Sequence, residues 1–68
     1  MTDYRHTIND LRYEGIHYRT FINDDGNMVI RHSEHDGDYE ELIFNPAAKL
    51  IQVISVDDGY KHIQGGNN

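Results

Sequence analysis

The sequence predicts an all-β fold, an antiparallel up-and-down meander of five to six strands that forms a curved sheet or a small roll. Three observations predict it: turn signals recur at a regular spacing, the stretches between them carry strand chemistry, and most of the apolar residues there fall on one parity. The turns are Asp24-Asp25-Gly26, Asp36-Gly37-Asp38, Pro46-Ala47-Ala48 and Asp57-Asp58-Gly59, centred near positions 25, 37, 47 and 58. That is the rhythm of consecutive hairpins. Gly supplies positive φ, Asp bonds its own backbone, and Pro46 presets a turn after Asn45.

Between the turns lie segments 16–22, 28–33, 39–44, 50–56 and 60–64, rich in Ile, Val, Tyr, Phe and Thr. These side chains suit a pleated, half-buried surface. No segment has typical helix length, and no connection is long enough for the crossover that a parallel pair needs. With hairpins turning about the centres above, opposite residues share parity through the whole meander. An even face then collects Ile16, Tyr18, Ile22, Met28, Ile30, Leu42, Phe44, Leu50, Ile54 and Val56. The odd face is mostly polar but keeps an apolar stripe, in which Phe21 faces Val29, Ile43 faces Ile51 and Val53 faces Ile63.

The N-terminal segment reads two ways. Thr7, Ile8, Leu11 and Tyr13 suit an edge strand that continues the turn rhythm back to Gly15. Alternatively, the fold is α+β with one helix at about residues 3–14 covering the sheet. For that reading Tyr4, Ile8 and Leu11 have helical spacing, Thr2 or Asp3 is a cap and Gly15 a stop. The strand is the expectation. A sheet with one apolar face must in any case be covered by its own curvature, by this segment or by a second copy.

The chain has 68 residues, no cysteine, and 12 acidic against 6 basic side chains, for a net charge of −6. Length allows one small domain, residues 1–64, with 65–68 as a flexible tail. A domain of this size buries only about 60% of its unfolded surface, which makes a dimer attractive. The apolar runs Met28-Val29-Ile30 and Leu42-Ile43-Phe44 are far too short to span a bilayer. The polar start carries no leader pattern. Absence of cysteine suits a reducing compartment, so a cytoplasmic location is expected. Net acidity argues against direct binding of duplex nucleic acid. The sequence has five histidines, a residue type whose unperturbed side chain changes charge near neutrality, and protonating all five would carry −6 to −1. Solubility or self-association is therefore expected to change on mild acidification.

Signatures of enzymes are missing. Ser33 and Ser55 lie in no nucleophile elbow, and no phosphate loop or dinucleotide fingerprint occurs. No enzyme activity and no cofactor are expected. His32, His35 and His62 are candidate metal ligands, but His32 and His35 are three apart at a strand end, which matches no known ligand spacing. The acidic turns lack the ligand alternation of a calcium loop. Arg19 is expected to face Arg31, a like-charge pair that invites an anion, with Glu41 diagonally placed to answer it.

The resulting expectation is a small non-enzymatic protein–protein interaction module, a homodimer, docking through the apolar stripe or a free sheet edge. Its surface would be Phe21, Val29, Ile43, Ile51, Val53 and Ile63, ringed by Arg19, Arg31 and Glu41. The partner is another protein, with no membrane involved. Two alternatives stand beside it: an acidic inhibitor of a nucleic-acid enzyme, of the kind mobile elements encode against their hosts, and a histidine-based metal or small-ligand binder.

Overall fold

A computed structural model describes residues 3–35 and 37–65. Asp36 and residues 66–68 lie outside the described residues, and so do the side chains of Glu34 and His35. One helix, α1 (Tyr4–Glu14), precedes five strands: β1 (Tyr18–Ile22), β2 (Met28–His35), β3 (Asp38–Phe44), β4 (Leu50–Asp57) and β5 (Tyr60–Gly65). The strands form one antiparallel sheet in chain order, and it does not close into a barrel. The meander is as expected. The final strand reaches Gly65, one residue into the expected tail.

The N-terminal segment is the helix and not the sixth strand. Its ends explain why. Asp3, extended at the N-cap, accepts from the His6 amide at 2.7 Å, and the Asp3 carbonyl accepts from Thr7 Oγ1 at 2.8 Å. Gly15, at φ 73°, turns the chain into the left-handed C-cap, a conformation that carries little penalty only for Gly. Tyr4, Ile8 and Leu11 then share one helix face and meet the sheet. Leu11, Ile30 and Phe44 form the buried core, and Tyr4, Ile8, Ile16, Tyr18, Met28, Leu42 and Leu50 pack around it. The Tyr4 ring meets Phe44 edge-on, with centroids 5.5 Å apart. The amide of Tyr4 donates to Ala48 at 3.0 Å, tying the helix start to the β3–β4 turn.

Register departs from the expectation in β4. β1 pairs with β2 as expected, Arg19 opposite Arg31 and Phe21 opposite Val29. β2 pairs with β3 at a shifted register that keeps the same parity, so Ile30 meets Leu42 and Val29 meets Ile43. Between β3 and β4 a bulge intervenes: Phe44 pairs with Leu50, but Ile43 pairs with Gln52. The extra residue flips the parity of β4 beyond it. Val53 and Ser55 come to the helix side, and Ile54 and Val56 go to the open side. The β4–β5 loop flips it back, because it has two residues, Asp58 and Gly59, both at positive φ (51° and 82°). That is the geometry of a type I′ hairpin. Ile63 therefore keeps its expected face but lies opposite Ile54, while Val53 lies opposite Gln64. The expected pairings Ile43–Ile51 and Val53–Ile63 do not form.

Two of the turns are built on Asn. Asn23 Oδ1 accepts from the amides of Asp25 and Asn27, and Asn45 Oδ1 from those of Ala47 and Lys49, all at 3.0 Å. The two side chains fold the β1–β2 and β3–β4 connections in the same way, as Asx turns.

Candidate functional site

Register brings one polar side chain from every strand into a single row on the helix side. Tyr18 lies opposite His32, His32 opposite Glu40, Glu40 opposite Ser55 and Ser55 opposite His62. The row lies beyond the end of the apolar core. Hydrogen bonds join much of it. Arg12 of α1 donates from Nε to the Tyr18 hydroxyl at 2.8 Å. Glu40 uses both oxygens, Oε1 at 3.0 Å from His32 Nε2 and Oε2 at 3.2 Å from Ser55 Oγ. His32 Nδ1 is buried with no partner among the described residues. A shallow cleft of about 320 Å³ lies over this part of the row, lined by His32, Glu40 and Ser55 together with Asp38 and Asp57.

The order of groups limits the chemistry. Here the carboxylate is in the middle and Ser55 donates to Glu40, so the groups do not stand in the hydroxyl–imidazole–carboxylate order of a Ser-His-Asp triad.

Beside the cleft the β2–β3 and β4–β5 turns converge. Oxygens of Asp38, Asp57 and Asp58 lie within 4.8 Å of one another, and the Asp58 amide donates to Asp38 Oδ1 at 3.1 Å. Three carboxylates supply between three and six oxygens against the six to eight a calcium ion takes, and Asp57 and Asp58 are exposed, as acidic turn residues commonly are. The histidines do not add to them. His32 and His62 share a face and a row, but two strands separate them, which sets their backbones about 14 Å apart. The side chain of His35 lies outside the described residues.

The open side of the sheet carries the expected interaction residues, with changes. Phe21, Val29 and Ile43 form one cross-strand row. Val29 and Ile43 are only 2% and 7% exposed, so they are core and not docking surface. Val53 has moved to the helix side, and Ile51 is the unpaired bulge residue. In their place Ile54 and Val56 join Ile63 on the open side. Arg31 bonds Glu41, with Nε 2.8 Å from Oε2, and its guanidinium lies 4.7 Å from the Tyr39 ring centre and 5.8 Å from that of Phe21. The Arg19 side chain forms no hydrogen bond or ion pair among the described residues. Every residue of β5 is exposed, Ile63 at 57%.

Sequence reasoning missed two bonded sets in this row, Arg12 with Tyr18 and Glu40 with His32 and Ser55. Only the correct cross-strand register reveals them, and a bulge gives no local signal. The convergence of Asp38, Asp57 and Asp58 did have a signal, since alternate turns of a meander share an end. No helix among the described residues is long and apolar enough to cross a membrane. No protein-family model, curated protein or solved structure matches the chain.

Proposed function

We propose that the chain is a non-enzymatic protein-interaction module that acts as a homodimer, two copies meeting along β5 and the apolar band beside it. The observation that carries this reading is the state of β5. It is an edge strand, exposed at every residue, and it sets Ile63 beside Ile54 on the side that α1 leaves open. Natural edges are blunted by charge, proline or bulges. Among the described residues β5 has one lysine, no proline and no acid, and its pairing with β4 is regular. In a chain of net charge −6, it is a place where two copies approach with little repulsion. Pairing β5 with β5 about a two-fold axis would extend the sheet and continue the Ile54–Ile63 band across the junction.

The test is sedimentation of the wild type and of Ile63→Lys. The wild type is expected to be dimeric at micromolar concentration, and the variant monomeric with an unchanged circular-dichroism spectrum. A monomeric wild type, or a variant that still dimerises, would overturn the reading.

The acidic-inhibitor reading gains one observation, the three carboxylates gathered at one end. Asp24 and Asp25 lie at the opposite end, on the β1–β2 turn, so no single acidic face results. Binding partners whose affinity falls steeply with salt would favour it over apolar docking.

A further inference from the structure

The other edge of the sheet has a different character. Among the described residues no strand pairs with the outer side of β1. On the open face, the row through its centre runs Arg19, Arg31, Glu41, Ile54, Ile63 from β1 to β5. Read outward from the sheet centre, the charges are negative, positive, positive, and then an empty place. Glu41 answers Arg31 through two hydrogen bonds. Arg19 faces Arg31 and has no acid of its own. Like charges directly opposite are unfavourable, and an acid on the far side of Arg19 would complete the alternation. In the neighbouring row, Phe21, Val29 and Ile43 are all apolar, and Phe21 is still 40% exposed. A cleft of about 450 Å³ opens beside it, lined by His17, Arg19, Arg31 and Ser33 among others.

We infer that the β1 edge receives an extended segment of another protein, added as a sixth strand, that carries an acidic residue beside Arg19 and an apolar residue two positions away beside Phe21. Main-chain hydrogen bonds supply affinity in this mode and the alternate side chains supply selectivity. A second copy of this chain does not fit. Its free β5 edge would bring Lys61 and Ile63, a cation and an apolar residue, and its free β1 edge would bring another Arg19. Within its strands, the acid–x–apolar stretches Glu40-Glu41-Leu42 and Glu41-Leu42-Ile43 both lie in β3, which is paired on both sides.

The probe is a synthetic eight-residue peptide of threonines bearing one glutamate and one valine two positions apart. It is compared with its glutamate-to-lysine counterpart and with a copy N-methylated on alternate amides, in a titration followed by amide chemical shifts. The glutamate peptide should shift the amides of β1, and the lysine and N-methylated peptides should bind far more weakly. Arg19→Gln should weaken the glutamate peptide about fivefold, as expected for an exposed ion pair, and Arg19→Glu should reverse the preference in favour of the lysine peptide. Arg19 is exposed and Glu opposite Arg31 is a favourable pair, so the reversed variant keeps its fold. No binding at millimolar peptide, equal binding of the N-methylated copy, an Arg19→Gln variant that binds like the wild type, or shifts centred on β5 or on Asp38, Asp57 and Asp58 would each overturn the inference.

Discussion

Ile43 lies opposite Gln52 while its neighbour Phe44 lies opposite Leu50, so Ile51 has no residue across from it. This one unpaired position decides what the rest of β4 presents. It sends Ile54 and Val56 to the open side and Val53 and Ser55 to the side that carries the helix. Deleting Ile51 would let Gln52 follow Leu50 directly and still face Ile43, so every later residue of β4 would keep its partner and its side, Ser55 beside Glu40 and Ile54 beside Ile63. The deletion is therefore expected to be tolerated, at a cost of no more than about 1 kcal/mol, read from urea unfolding. A loss of about 2–4 kcal/mol would mean that the bulge itself, or the Ile51 side chain, is needed by the fold.

The helix depends on its two caps. Asp3→Ala removes the acceptor for the His6 amide and should cost about 1 kcal/mol, which in a domain this small lowers Tm by about 4–8 °C. Gly15→Ala places a Cβ at a φ of 73° with open space around it, so strain alone acts there. A loss of about 1 kcal/mol is expected. Thermal melts followed at 222 nm check both. If neither changes the melting temperature, the helix is held by the Leu11 contacts and its ends are incidental.

How much of this was legible depended on whether the signal was local. Turn residues and strand composition are local, and they placed all five strands. Alternation puts Ile30 and Phe44 on the covered face, and it holds there because the β2–β3 pairing is regular from Met28 to His32, with its irregularity only between His32 and His35. The helix was harder. Its spacing of Tyr4, Ile8 and Leu11 competed with a turn rhythm that also accounted for Gly15, and the deciding force was tertiary: an apolar sheet face that needed a cover. Val53 was misplaced because a bulge leaves no mark in composition. Ile63 kept its face only because the two-residue Asp58-Gly59 loop reversed the first slip. Val29 and Ile43 were read as docking surface because alternation reports a face, and says nothing about how far neighbours on that face shield it.

Glu40 holds the polar row together, since it accepts from both His32 and Ser55. Glu40→Ala would leave the partly buried His32 with neither ring nitrogen bonded among the described residues. A loss of about 1–2 kcal/mol follows from the stranded imidazole. Ser55→Ala removes one neutral donor and leaves the His32 bond in place, so its cost should be smaller, about 0.5–1 kcal/mol. Chemical denaturation of the two single variants and the double variant checks this. Since both changes act on the same carboxylate, the double variant should lose less than the two losses added. Strict additivity would mean that Glu40 and Ser55 do not act as a unit.

Arg19 and Arg31 are paired directly across β1 and β2, and only Arg31 is neutralised within the chain. The isolated protein should therefore gain stability when this repulsion is removed. Arg19→Glu replaces a like-charge pair with an opposite one, and the gain should be about 0.5 kcal/mol at low salt. The pair is solvent-exposed, so screening at molar salt should erase most of the difference. Arg19→Gln should give roughly half the gain. Urea unfolding of the three proteins at low and high sodium chloride measures both effects. A destabilised Arg19→Glu, or a gain indifferent to salt, would mean that Arg19 contributes through its packing and that the cationic edge is not a source of strain waiting for an acid.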